Sequence, residues 1–219
     1  MTRTRTPRQK RAKQTVSDII EAGFIVVARE GVEGLTTRKV ADMAGVSVGT
    51  LYEYFAHKDE ILEAIQGQFA EDVVAMIRPL IPELVRKPPR DVVLRLLFAF
   101  RDLLQRNNRR YLHTARALGA NFSGAHLEPV RRVLGDLAMQ YLTHNPELAR
   151  LPDIPTKAYI MIHGGIATMV QQLSEENPTV SFEQLSEGLA DMVRYMIEGG
   201  LSEAEGQGAR GKWQGEKNE

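Results

Sequence analysis

The stretch that decides the fold is "GVSVGTLYEYFAHKDEI", residues 45–61. Leu51 and Phe55 stand four apart, the spacing of one helical face, and point with Val46 toward a core. A loop has no use for that spacing, and a core helix has no use for two tyrosines and a glycine beside it. On a helix over 47–55, Val48, Gly49, Thr50, Tyr52 and Tyr54 fall on the outer side or at its edge. Gly49 removes a side chain where another surface must come close. Thr50 and the tyrosines offer hydroxyls to phosphate oxygens, and methyl groups or ring edges to apolar contacts. Such a face suits a DNA major groove.

The flanking sequence agrees. In "GLTTRKVADMAG", residues 34–45, Thr36 can cap a helix, with Leu35 and Val40 at hydrophobic-staple spacing. Ala44-Gly45 ends that helix after about two turns. The device then repeats, with Ser47 as cap and Val46 and Leu51 as staple. Two short capped helices joined by a glycine turn make a helix-turn-helix. Upstream, Val16, Ile20, Phe24 and Val27 form a helical stripe that Gly31 stops. Gly23 within it costs about 1 kcal/mol relative to alanine and marks a close helix approach. Downstream, a third helix starts near His57 or Lys58, with acids in its first turn. Helix starts at Thr36 and Lys58 aim amides at phosphates, and Arg38, Lys39 and Lys58 add charge.

Residues 17–65 resemble the N-terminal domain of the TetR family of bacterial transcription regulators, through "LTTRKVADMAGVS", "GTLYEYF" and the run Lys58-Asp-Glu-Ile-Leu62. The resemblance implies an all-α protein. A three-helix helix-turn-helix DNA-binding domain precedes a larger helical domain for ligand binding and dimerisation. It also implies a homodimeric repressor released from a palindromic operator by a small molecule. Thr36, Thr37 and Arg38 match the start of the phosphate-anchoring helix. Val48, Gly49, Thr50 and Tyr52 match the recognition helix, Tyr54 a position used for the DNA backbone, and Lys58 the lysine opening the next helix. Position 48 is often polar or basic in the family; Val here favours a thymine methyl over a guanine. Position 27 is commonly aromatic, and Val there bears on packing only.

The whole chain sets wider bounds. Its 219 residues carry 28 basic and 28 acidic side chains, so the net charge is zero. The six cations Arg3, Arg5, Arg8, Lys10, Arg11 and Lys13 all precede the first acid, Asp18. Distribution thus matters more than the sum. Without cysteine there is neither a disulfide nor a thiolate metal site. The N-terminus lacks the apolar core of a signal peptide, and no apolar run is long enough to span a membrane. A cytoplasmic protein is expected. The organisation reads as a disordered basic arm at 1–15, the helix-turn-helix domain at 16–65, a helical ligand-binding and dimerisation domain at 66–200, and a disordered tail at 201–219. Within the larger domain, Pro79 and Pro82 interrupt one helix, "KPPRD" precedes the next, and further helices are expected at 108–118, 127–143, 156–175 and 182–198.

Nothing resembles a catalytic set, and no cofactor or metal is expected. "GQGARG" at 206–211 fits the dinucleotide fingerprint in letters only, since it follows no strand. A small apolar or aromatic effector is expected among residues 95–170. Phe98, Phe100, Tyr111, Met139, Tyr141 and Met169 are the candidate walls, and Arg101, His113 and Arg116 would orient a polar end. The helices at 156–175 and 182–198 are the candidate dimer interface. Gly164-Gly165 would allow close approach there, with His163, Ile166, Met169, Leu185, Leu189, Met192, Val193 and Met196 in contact. The rival reading is a DNA-binding structural or assembly factor that senses no small molecule; a ligand that weakens DNA binding separates the two. Activation remains open beside repression.

Overall fold

A computed structural model describes residues 7–118, 124–175 and 177–215, and every regular element among them is helical. Helix α1 spans Pro7–Glu30, α2 Thr37–Ala44, α3 Val48–Tyr52 and α4 Lys58–Ile77. A 3-10 turn at Arg78–Leu80 and the one-turn α5 at Ile81–Leu84 follow, as Pro79 and Pro82 require. Then come α6 (Pro89–Leu118), α7 (Glu128–His144), a 3-10 turn at Pro146–Arg150, α8 (Ile154–Ser174) and α9 (Phe182–Gly215). None of the described helices is long and apolar enough to cross a membrane.

Of the side chains singled out in the sequence, Phe24, Val27, Leu35, Val40 and Leu51 are buried together with Ile19 and Ile61, while Val16 and Ile20 are half-buried against them. Gly23 lies where α1 meets α4: a Cβ there would stand 2.8 Å from Ile65 Cδ1 and 3.1 Å from Ile61 Cγ2. Close approach is thus the reason for glycine inside that helix. The fourth helix runs on from this small core into the larger half, where Phe69, Val73 and Ile77 join Leu103, Val133 and Leu137. The expected boundary between residues 65 and 66 therefore falls inside α4, which both halves share. Arg90, at the start of α6, holds α9 through Asp191 (Nε to Oδ1, 3.0 Å) and through Glu187.

Three expectations need correction. Residues 7–15 are not a disordered arm but the first turns of α1. Pro7 suits a first helical turn, and Arg, Gln, Lys and Ala are good helix formers; residues 1–6 lie outside the described residues. The expected disordered tail is helical as far as Gly215, and only 216–219 fall outside. Gly199-Gly200 does not end α9, because Gly200 is buried where a Cβ would lie 2.6 Å from Leu151 Cδ2, so packing holds the helix through it. Finally, the separate helix at 108–118 is the end of the 30-residue α6. "QRNNRR" does not break it, although Arg109 there takes a left-handed backbone, φ 61°.

Candidate nucleic-acid interface and effector cavity

Two local devices build the helix-turn-helix. Thr36 caps α2, its hydroxyl accepting from Lys39 N at 3.2 Å. Gly45 closes the helix in the left-handed region (φ 68°) that glycine enters without strain. Ser47 then caps α3, its Oγ accepting from Thr50 N at 3.0 Å, while Thr50 Oγ1 sits 2.9 Å from the same oxygen. Leu51 is fully buried and anchors the short helix. At the next helix start Glu60 reaches back, its Oε2 accepting from Ala56 N at 2.7 Å.

The expected DNA-facing residues differ in exposure. Thr36, Arg38, Gly49, Tyr52 and Lys58 are exposed, Tyr52 by 53%, and Thr37 and Thr50 are half-buried. The hydroxyls of Thr37 and Tyr52 lie 3.3 Å apart and tie α2 to α3. Arg38 and Lys58 make no ion pair with a described residue, so both charges are available. Lys39 is not available: its ammonium donates to Glu30 and to the Gly34 carbonyl. Val48 and Tyr54 are half-buried against the core rather than fully outward. The nearest atom to a Cβ on Gly49 would be Ser47 Oγ at 3.7 Å. The protein itself leaves that position free.

The larger half holds a partly open apolar cavity of about 350 Å³ between α4, α6, α7, α8 and α9. That falls within the roughly 300–1,000 Å³ of small-molecule sites. The expected wall residues divide. Phe100, Tyr141 and Met169 line the cavity. Phe98, Arg101, His113, Arg116, Met139 and Tyr111 do not. Arg101 lies under the cation–π distance from Phe98 and pairs with Glu183, His113 and Arg116 face solvent, and Met139 is 66% exposed. Tyr111 is buried one layer away, against Phe69 at 5.3 Å. A 3.6-residue period places two of every three α6 residues away from any one wall, which the apolar count alone could not resolve.

The dimer candidates divide too. Ile166, Met169, Leu189, Val193 and Met196 turn inward to the cavity, and Leu185 packs on the core. His163 and Met192 stay on the outer side, joined by exposed Tyr159, Ile160 and Tyr195. Tyr159 stacks on His163 with centroids 4.0 Å apart. The sequence reading missed these tyrosines, although they follow α8 and α9 at the spacing opposite the cavity stripe. Burial raises the Tyr141 hydroxyl above its ordinary pKa, and the nearby Glu147 carboxylate adds to this.

A capped helix-turn-helix set on an otherwise helical frame, among the described residues, is the architecture of DNA-binding transcription regulators. Residues 19–65 match the family model described as bacterial regulatory proteins, tetR family. Over 68 residues the chain is 41% identical to an HTH-type transcriptional regulator of Haemophilus influenzae, covering 29% of this chain and 34% of that one. It is 40% identical over 68 residues to the fatty acid metabolism regulator protein of Bacillus subtilis, with the same 29% and 34% coverage. The chain thus aligns with about a third of the length of these curated relatives. The fatty acid degradation regulator FadR from Bacillus halodurans shares the fold over 87% of this chain and 96% of that chain, at a TM-score of 0.64 and 18% identity. Residues 19–65 are thus similar to the tetR family of bacterial regulatory proteins, and the fold of the described residues is shared with solved regulators.

Proposed function

We propose that the chain is a homodimeric repressor that binds a palindromic operator and is released from it by a small apolar effector. The observation that carries this reading is the outer face of α3. Gly49 and Tyr52 stand exposed there, with Thr50 beside them, and the exposed charges of Arg38 in α2 and Lys58 at the start of α4 are unpaired among the described residues. A side chain is missing where a groove floor has to approach, and cations flank it where phosphates run. The apolar cavity supports an effector and weighs against a factor that senses nothing.

Dimerisation is supported by the outer side of α8 and α9. Tyr159, Ile160, Met192 and Tyr195 are each about 60% exposed, an apolar patch unusual for a lone soluble domain. Two such faces can pair about a twofold axis into a four-helix contact. In the repressor, recognition helices about 34–36 Å apart enter successive major grooves. An effector that favours another separation lowers DNA affinity by linkage, with a coupling of roughly 1–3 kcal/mol.

Selection of bound sequences from random DNA tests the reading. The expected product is a palindrome whose half-sites lie one helical turn apart. A pool that stays unenriched would overturn it.

A further inference from the structure

The chamber is not an equidimensional hole. Its lining follows one face of α8 from Ile154 to Leu173, so it extends about 28 Å at 1.5 Å per residue. Residues of α4, α6, α7 and α9 line it beside that face, so the cavity is elongated along α8. Almost all of the lining is hydrocarbon. Tyr141, the polar-tipped ring among the wall residues, spends its hydroxyl on the Lys87 carbonyl at 2.8 Å. One cation stands in this wall, Lys157, near the N-terminal end of α8. It has no ion pair or hydrogen bond from its side chain to a described residue. Gly200 of α9 packs close beside that end: a Cβ there would lie 3.6 Å from Lys157 Nζ and 2.6 Å from Leu151 Cδ2.

We infer that the channel takes a long, unbranched amphiphile with an anionic head, carboxylate or phosphate, whose charge is met by Lys157. The inference rests on the effector reading above and names the chemistry of that site. An ammonium offers three donors and no acceptor, so the head it selects is an acceptor bearing negative charge. The tail extends along α8 toward Leu173, past α8 lining residues that are all apolar beyond Lys157 and could not satisfy a second head. A compact, many-ringed molecule would leave most of the channel's length unfilled. Lys157 is a ligand-orienting residue, and the tail contacts supply affinity that grows with chain length.

The full-length protein is tested by fluorescence titration with palmitate, hexadecyl phosphate, hexadecanol and hexadecyltrimethylammonium, each below its aggregation concentration. One or both anions should bind about tenfold tighter than the alcohol, as charge-assisted hydrogen bonds do relative to neutral ones. The comparison of palmitate with hexadecyl phosphate tells which head is preferred. Myristate should bind about fifteenfold weaker than palmitate, for two methylenes lost. Lys157→Met should erase the advantage of the anions and leave hexadecanol unchanged, while Lys157→Arg keeps it. Equal binding of anion and alcohol by the wild type, uniform weakening by Lys157→Met, or no binding by any of the four would overturn the inference. Operator binding is followed separately by anisotropy without ligand. Normal DNA binding with no amphiphile bound sinks the channel assignment alone, whereas loss of DNA binding sinks the repressor reading instead.

Discussion

Phe24 of α1 and Tyr111 of α6 meet edge to face, with centroids 5.3 Å apart and planes at 88°. On its other side Tyr111 stands 5.3 Å from Phe69, a wall of the cavity. The Arg110 guanidinium lies 5.1 Å from the Phe24 ring and 5.0 Å from the Tyr111 ring, and pairs with Glu21 of α1. Three aromatic rings and one ion pair thus form a continuous contact from the apolar cavity to the helix-turn-helix half. On the proposed effector reading, a shift of α4 or α6 on filling the cavity would reach α1 through this contact.

The Tyr111 hydroxyl donates to Asp72, whose other oxygen accepts from Gln68 at 3.1 Å. Tyr111→Phe keeps the ring and removes that bond. It should cost about 1–2 kcal/mol in urea unfolding, the range for leaving a partly buried acceptor short of a donor. Burial first, and the bond to Asp72 second, hold the Tyr111 pKa above its ordinary 10.0. A raised folded pKa means the proton is retained by folding. The stabilisation is therefore complete below about pH 10 and is lost as pH rises through the folded value. Wild-type stability should fall on that alkaline limb more steeply than that of Tyr111→Phe. Parallel limbs would show that Tyr111 is not the group responsible.

The helix-turn-helix was legible because its signals are local. Thr36, Gly45 and Ser47 act on backbone groups within four residues of themselves, and their geometry follows from residue type alone. The larger half was legible in helices but not in facing. Ile166 and Met169 lie on an apolar helix that is polar on neither side, so the period does not say which stripe meets a cavity and which meets a partner. Lys157 carries that information, as a lone charge within the inward stripe. Phe98 and Phe100 make the same point: two residues apart on one helix, they fall on different sides, and Phe100 alone reaches the chamber.

Arg109 is the one position in α6 where backbone strain shows. An L residue other than glycine pays roughly 1–2 kcal/mol in the left-handed region. Glycine removes that strain, but its freedom in the unfolded chain costs roughly 0.5–1 kcal/mol. Arg109→Gly should therefore be neutral to stabilising by about 0.5–1 kcal/mol by thermal unfolding. A loss above 1 kcal/mol would mean that φ 61° at Arg109 is not strained in solution.

The dimer surface is tested on the outer side chains, because Ile166 and Met169 would damage the chamber instead. Ile160→Glu with Tyr195→Glu places like charges in a paired apolar face. The variant should sediment as a monomer with unchanged helix content by circular dichroism. Its operator affinity should fall by at least tenfold, since each half-site then binds alone. A stable dimer from this variant would place the interface elsewhere.

The DNA-facing role of α3 has a clean steric test. A Cβ on Gly49 meets nothing nearer than 3.7 Å within the protein, and leucine is a better helix former than glycine. Gly49→Leu should therefore fold and dimerise normally, so that any loss of binding comes from the groove side. Abolition of operator binding in fluorescence anisotropy is expected. Lys58→Ala should differ in kind: it should weaken all DNA sequences alike and lower the salt slope by about one per subunit, as a phosphate contact does. Val48→Ala should act unevenly, costing most where a thymine methyl lies opposite. Because Val48 is half-buried against the core, its unfolding midpoint serves as the control for that variant. Thr50 and Tyr52 are expected to hold the helix in register through the sugar-phosphate chain. Wild-type operator affinity in folded Gly49→Leu would mean that α3 does not enter the groove, and that Tyr52 is an ordinary surface residue.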